Sequence, residues 1–337
     1  MKAAVHSRYG PPDTIELTEV DAPTPADNEV LVRVHATTVN RTDCGILRGK
    51  PWFARLFYGI RRPKSPVLGN EFAGRVGGIW NQVTQFAVGD DVVGYNDVTY
   101  GAHAEYITMP ETKMIAYMPA GLTYEEAAPI AEGAHYALSI IRAAKIGPGQ
   151  RVLIYGATGA IGSAPVLVAK HFGATVTAVC ATPHLELVRS LGADKVIDYT
   201  TEDFTRAGTD YAVVIDAVGK SSFGACKKLL KADGIYTSTG PGPFWQNPAL
   251  VLWTKRFGDR RVIFPLPRND QADLVFLTQL VASGEFRPLI DRRYSLDNIV
   301  DAFRYVETGQ KVGNVVITVD RRNEVQDSSA TTAPTAG

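Results

Sequence analysis

One stretch constrains this chain more than any other, Tyr155-Gly-Ala-Thr-Gly-Ala-Ile-Gly162. It follows an apolar run, Val152-Leu-Ile-Tyr155, and leads into a run from Ile161 to Phe172 that reads as helix and closes at Gly173. A strand that turns through glycines into a helix sets free N–H groups and a positive dipole end where phosphates bind. Set against G-x-G-x-x-G, the three positions are Ala157, Gly159 and Gly162, with alanine in place of the first glycine. Gly159 lets the backbone approach a pyrophosphate, and Gly162 lets the helix pack close to the sheet. Gly156, Ala157, Thr158, Gly159, Ala160, Ile161 and Gly162 are therefore the expected cradle of a dinucleotide. The alternative is a tight βα turn that binds nothing. Pro165 falls one turn into the helix, where its missing N–H is expected to bend the axis.

The surroundings repeat the pattern. Thr175-Val-Thr-Ala-Val179, Lys195-Val-Ile-Asp198, Ala212-Val-Val-Ile215 and Ile235-Tyr-Thr-Ser238 read as strands. Leu185 to Leu191 and Phe223 to Leu230 read as helices between them. Apolar strands alternating with helices indicate a doubly wound parallel sheet in an α/β domain. Its start is marked by Thr123-Tyr-Glu-Glu126, which has the form of a capping box, and by a helix from Ala134 to Lys145 ended by Gly147-Pro-Gly149. Residues 1–122 read differently, as short strands such as Glu29-Val-Leu-Val-Arg-Val34 punctuated by Gly and Pro, which suggests a barrel or sandwich. We expect residues 123–264 to form the nucleotide-binding domain and residues 1–122 with 265–320 the second domain, with 321–337 a disordered tail.

Composition narrows the function. With 337 residues, two domains are expected. The 35 basic and 35 acidic side chains cancel, which argues against a nucleic-acid partner. Val152 to Ala169 lacks charge but is rich in Gly, Ala, Ser and Thr and holds Pro165, so we expect no membrane span. Met1 to Gly10 has no apolar core of the secretory type, and the three scattered cysteines form no disulfide framework. A reducing, cytoplasmic setting is expected.

The nucleotide is read from the second strand's end. NAD sites usually carry Asp or Glu there, on the ribose 2′-hydroxyl, about 20 residues after the turn. Here the chain reads Val179-Cys-Ala-Thr-Pro-His184, without a carboxylate. Thr182 and His184 are expected to meet a 2′-phosphate, with Tyr199 a further donor, so NADPH is expected and NADH stands as the alternative. The other reading makes His184 an exposed loop residue and lets both nucleotides bind.

Taken together, Val39-Asn-Arg-Thr-Asp43, Leu68-Gly-Asn-Glu-Phe-Ala-Gly74, Gly89-Asp-Asp-Val92, Gly101-Ala-His-Ala-Glu-Tyr106, Glu132-Gly-Ala-His-Tyr136, Leu191-Gly-Ala193, Asp216-Ala-Val-Gly219 and Gly313-Asn-Val-Val316 resemble the medium-chain dehydrogenase/reductase superfamily. The resemblance covers residues 1–319 and lies nearest the zinc-free quinone oxidoreductases and the NAD(P)-dependent alcohol dehydrogenase-like proteins beside them. It implies a GroES-like β-barrel domain plus a Rossmann domain. It also implies contacts to the nicotinamide half from Gly240 and Asn314, with Val218 near the adenosine side.

Zinc members place Cys where this chain has Asn40 and His where it has Asn70; catalytic zinc needs three ligands of Cys, His or carboxylate type, so no metal is expected. Without a Lewis acid, hydride delivery to a quinone or α,β-unsaturated carbonyl is the easier task. Asn40 is the expected polar group beside nicotinamide or substrate, Thr42 a second hydroxyl donor, and Asp43 a catalytic candidate read first as a brace for its loop; for all three the alternative is a turn residue satisfying its own backbone. Oxidation of small alcohols, carbonyl reduction, and a structural or regulatory NADPH-binding role are the alternatives. Pro51-Trp-Phe-Ala-Arg-Leu-Phe-Tyr58 reads as a substrate lid or a self-anchored loop, and Arg61-Arg62-Pro-Lys64 as solvated surface. Relatives often dimerise by edge-strand pairing, and Arg261-Val-Ile-Phe264 is the edge strand from which a homodimer is expected.

Overall fold

The computed structural model describes residues 1–242 and 245–319; the expected disordered tail lies outside the described residues. The chain divides into two compact units. The first begins with β1 (Lys2–His6) and β2 (Ile15–Glu19), paired antiparallel. Its spine is β3 (Glu29–Val39), longer than the expected six-residue strand. The first half alternates, burying Val30, Val32 and Val34 and leaving Leu31, Arg33 and His35 half-buried. Ala36 to Val39 are all buried, so the alternation that marks a strand disappears there.

After β3 come α1 (Arg41–Leu47), α2 (Arg55–Tyr58), β4 (Glu71–Ile79), β5 (Asp91–Tyr95), β6 (Tyr106–Pro110), β7 (Ile115–Tyr117) and α3 (Tyr124–Ala127). β4 pairs along one edge of β3 and β6 along the start of the other. α3 opens on the capping box read in the sequence: Thr123 accepts from the Glu126 N–H, and the Glu126 carboxylate accepts from the Thr123 N–H.

The second unit spans Ile130–Asp291 with Lys311–Asn314. It runs α4 (Glu132–Ala144), β8 (Arg151–Tyr155), α5 (Ala160–His171), β9 (Thr175–Cys180), α6 (Leu185–Ser190), β10 (Lys195–Asp198), β11 (Tyr211–Asp216), α7 (Phe223–Cys226), β12 (Leu230–Ser238), α8 (Gln246–Phe257), β13 (Arg261–Ile263) and α9 (Gln271–Ala282). The sheet order is β10-β9-β8-β11-β12-β13, with parallel pairings throughout. Numbered within the sheet this is 3-2-1-4-5-6, the doubly wound dinucleotide-binding order. β13 stands at the edge, as expected. α5 continues through Pro165 to His171. α4 ends on Lys145 in the left-handed region (φ 53°), ahead of the glycines expected to stop it.

The unit extends past the expected limit at residue 264 because α9 packs on α4. Arg142 pairs with Asp273, and the His135 ring donates to the Arg268 carbonyl.

The chain then returns to the first unit through β14 (Ile290–Ser295), α10 (Ile299–Glu307) and β15 (Asn314–Thr318). β15 pairs antiparallel with the second half of β3, Val315 opposite Val39 and Thr318 opposite Ala36. The long sheet has the order β14-β15-β3-β4-β5-β7. α10 buries Ile299, Ala302, Phe303 and Val306 among Val39, Cys44, Leu47, Val315 and Ile317. Each large apolar side chain so buried contributes about 1.5–3 kcal/mol. Arg48 grips Glu307 through two hydrogen bonds of 2.6 and 2.7 Å, tying α1 to α10. Truncating Phe303 to Ala should leave a cavity in this core and lower stability by about 3–5 kcal/mol. Urea unfolding followed by circular dichroism measures it, and an unchanged midpoint would contradict the placement of α10.

Candidate active site

At the C-terminal end of β8 the backbone turns at Gly156 (φ +84°). The left-handed residue is thus one position earlier than the motif's first glycine, and Ala157 has no positive φ to accommodate. Gly156 and Ala157 both donate to the Val179 carbonyl, at 3.0 and 3.1 Å, which pins the turn to β9. α5 starts after Gly159 with no side-chain cap, and its first helical bond runs from the Ser163 N–H to the Gly159 carbonyl. The N–H groups of Ala160, Ile161 and Gly162 precede that bond, as the first turn of any helix requires. A Cβ at Gly162 would lie 1.9 Å from the Gly156 carbonyl oxygen, so only glycine lets α5 sit this close to the turn. These uncapped amides fit a dinucleotide's pyrophosphate.

Neighbouring strand ends converge here. Asp216, fully buried at the end of β11, accepts from the N–H groups of Val218, Gly219 and Ser221 and from the Tyr236 hydroxyl. This shapes the loop that sets Val218 against Gly156. Gly219 lies against Gly240, whose carbonyl accepts from Asn247 Nδ2 at 2.9 Å. Gly313 donates to the Thr158 carbonyl at 2.7 Å and bridges Gly159. Asn314 beside it directs its side-chain N–H to the Leu289 carbonyl. The structure thus brings Gly156 to Gly162, Val218, Gly240 and Asn314 to one end of the sheet. Asp216 and Asn247 act behind them and were not singled out from the sequence; only the Asp-Ala-Val-Gly motif hinted at the first.

At the rim formed by β9 and β10, Thr182 has a carboxylate partner within the chain. No carboxylate ends β9, but Asp198 ends β10, the next strand in the sheet. Thr182 donates its hydroxyl to Asp198 Oδ2 at 2.6 Å. Thr200 donates its backbone N–H and its hydroxyl to Oδ1, at 2.9 and 2.7 Å. His184, half-buried, ends a short 3-10 turn, and Tyr199, half exposed, stands edge-on to Tyr155 at 6.1 Å.

The first unit holds a buried polar cluster at the start of α1. Asn40 caps α1: its Oδ1 accepts from the Asp43 N–H, and Asp43 Oδ2 accepts from the Asn40 N–H. Asp43 Oδ1 accepts from the Gly69 N–H at 3.1 Å. Both carboxylate oxygens are thus engaged with backbone, which favours the brace over a catalytic role. Asn40 Nδ2 donates to Asn70 Oδ1 at 2.7 Å. Thr38 donates to Glu71 Oε1 at 2.7 Å, and the His103 ring donates to the Thr38 carbonyl. Thr42 is half-buried in the first turn of α1. In the lid segment Trp52 and Leu56 face solvent, while Tyr58 packs edge-on to Tyr100.

This donor set does not fit zinc. Asn40 and Asn70, which the resemblance sets at two zinc-ligand positions, are neutral carboxamides bonded to each other, and Glu71 already accepts from Thr38. Among the described residues no group of three or more His, Cys, Asp or Glu is placed to hold a metal.

Burial shifts two groups in opposite senses. It pushes the Asp43 carboxyl up to about 7, against the pull of the Asn40 and Gly69 N–H groups. It pushes His103 down to about 4, against its bond to Thr38. The neutral His103 contributes stability that is full above pH 6.5 and is lost as pH falls through about 4. Asp43 runs the other way: its contribution is full below pH 3.8 and is lost as pH rises through about 7. Replacing His103 by Gln should therefore flatten the acid-side decline, by on the order of 2 kcal/mol across the window. Denaturation midpoints at pH 7.5 and 5 for both proteins measure this; parallel pH profiles would refute it.

Known proteins match both units. Residues 26–120 match the alcohol dehydrogenase GroES-like domain, and residues 191–317 match the zinc-binding dehydrogenase family. A 2-methylene-furan-3-one reductase of Solanum lycopersicum is 32% identical over 94% of this chain and 79% of its own length. An NADPH-dependent alkenal/one oxidoreductase of Arabidopsis thaliana is 30% identical with the same coverage. The solved quinone oxidoreductase of Coxiella burnetii superposes with a TM-score of 0.85 at 27% identity, over 95% of this chain and 99% of that one. With the 3-2-1-4-5-6 sheet, the glycine turn and the antiparallel first unit, these matches place the chain in the medium-chain dehydrogenase/reductase superfamily of NAD(P)H-dependent oxidoreductases.

Proposed function

We propose that this chain is an NADPH-dependent reductase of α,β-unsaturated carbonyls or quinones that works without zinc. One observation carries the reading: Asn40 and Asn70, the positions to which the family resemblance assigns two zinc ligands, are a bonded pair of carboxamides. A neutral amide cannot hold an alkoxide as a metal does, so alcohol oxidation is disfavoured. It can donate a hydrogen bond to an oxygen that gains charge while conjugation spreads that charge. Each amide nitrogen carries two hydrogens. Asn40 gives one to Asn70; the other would serve the acceptor's oxygen.

The residues that would hold the nucleotide are Ala160, Ile161 and Gly162 at the pyrophosphate, Val218 at the adenosine, and Gly240 and Asn314 towards the nicotinamide. His184 and Tyr199 would meet the 2′-phosphate. Bound there, the nicotinamide supplies the hydride. Thr42 is the second candidate donor to substrate, and Asp43 keeps Asn40 in its cap. The names of the tomato and Arabidopsis relatives support this substrate class and nucleotide.

A second copy is part of the proposal. β13 is an open sheet edge, and Leu252, Trp253 and Phe257 stand exposed on α8, which the Thr254 hydroxyl ties to β13 at Val262. Pairing of two such edges makes the expected homodimer. Cys44, Cys180 and Cys226 are buried, and a reducing cytoplasm suits them. Among the described residues no helix is long and apolar enough to cross a membrane.

NADPH oxidation should be fast with an enone or a quinone and at least tenfold slower with a saturated ketone. It should survive a strong chelator unchanged. Asn40→Ala should lower kcat by roughly 10²-fold, the scale of one lost oxyanion donor, with the NADPH Kd little altered. Turnover limited to alcohols, or abolished by chelation, would reject the assignment. Light scattering at micromolar concentration should give twice the chain mass; a monomer mass would remove the edge pairing.

A further inference from the structure

The hydroxyl protons at the β9–β10 rim can be counted. Thr182 and Thr200 carry one each, and three short O···O contacts join them and Asp198: 2.6 Å from Thr182 to Oδ2, 2.7 Å from Thr200 to Oδ1, and 2.7 Å between the hydroxyls. An ionised carboxylate only accepts, so the two protons run either both to Asp198 or one to Asp198 and the other between the two hydroxyls; in each arrangement both are spent inside the cluster. Those same bonds hold the Asp198 carboxyl below the usual carboxylate range, so it is charged at neutral pH. The two threonines are exposed and Asp198 is buried behind them. A ligand arriving at this rim therefore meets lone pairs and a negative charge.

No fixed cation offsets this in the neighbouring sequence. Arg189 on α6 is paired with Glu186, and Lys195 stands at the opposite end of β10. A ribose 2′-hydroxyl has a proton to give to such a surface. A 2′-phosphate is itself anionic and only accepts, so it gains nothing from Thr182 or Thr200 and is repelled by Asp198.

We propose that Asp198 is the residue that sets nucleotide choice, limiting the preference for NADPH so that the enzyme also takes NADH. Asp198 acts as a positioning residue through Thr182 and Thr200: it withdraws both hydroxyl protons from the 2′-position. His184 and Tyr199 supply what attraction the 2′-phosphate finds. The inference rests on the reading of a nicotinamide nucleotide at the glycine turn.

Titration of the full-length protein with NADPH, NADH and ADP-ribose, read by fluorescence or calorimetry, separates the two claims. The Kd values for NADPH and NADH in the wild type should lie within about tenfold of each other, or ~1.4 kcal/mol. Asp198→Asn removes the charge, keeps the shape and returns a hydroxyl proton to the rim. It should raise the NADPH-to-NADH affinity ratio tenfold or more. A purely structural role would weaken both nucleotides and ADP-ribose together and leave the ratio unchanged, and that result overturns the inference. So does a wild type that prefers NADPH by more than a hundredfold, which decides the matter even if the variant does not fold. Binding of none of the three ligands would instead overturn the nucleotide site itself.

Discussion

The close approach of α5 to the turn after β8 is the constraint on which the nucleotide end of the second unit depends. It exists because Gly162 has no Cβ: any side chain there would start 1.9 Å from the Gly156 carbonyl oxygen. The approach aims the uncapped amides of Ala160 to Gly162 at one place. It also lets Gly313 reach the Thr158 carbonyl, so the returning chain crosses the same turn. Asp216 adds to this from the far side of β8, with four hydrogen bonds that fold the Val218–Gly219 loop toward Gly156. One buried carboxylate and one missing methyl group together define this end of the sheet.

In the first unit the comparable element is β3. It takes β4 on one edge and both β6 and β15 on the other, and α10 covers its second half. The last strand is therefore a full member of the core. The Asn40 cap follows directly from the end of β3, and Gly69 is bound to Asp43 just before β4. Because both supports come from the sheet, the Asn40–Asn70 pair inherits its rigidity.

The periodicity of the second unit made its sheet legible, since buried parallel strands read as apolar runs and each helix closes on a local signal. At Lys145 the helix ends where the sequence reading put its end, but on a lysine that takes the left-handed cap glycine usually fills. The compact unit runs past 264 for a different reason. α9 is apolar enough to belong to either unit, and its packing settles it, through the Arg142–Asp273 pair with α4 and through Phe276 against His171 and Phe172. The glycine turn was legible almost residue by residue. Asp198 reads in the sequence only as a strand end, although its neighbour Tyr199 is placed at the nucleotide: its adjacency to Thr182 across β9 and β10 is marked by side-chain hydrogen bonds that no spacing in the sequence shows. A strand order of 3-2-1 implies that adjacency, so the end of the third strand belongs with the second when a ribose site is read.

The two carboxylates near the expected sites differ in what their surroundings make of them. Asp43 is buried without a cation and is pushed towards neutrality, while its oxygens brace Asn40 and Gly69. Asp198 is stabilised as an anion by the hydroxyls it orients. A metal centre would require anionic or imidazole ligands where the first unit instead supplies carboxamides, and amides contribute donors, not Lewis acidity. In the proposed zinc-free reading, that exchange narrows the chemistry to acceptors that already share out incoming charge. The anionic rim narrows the nucleotide in the same way, by what it has to offer: acceptors for a hydroxyl, and only His184 and Tyr199 for a phosphate.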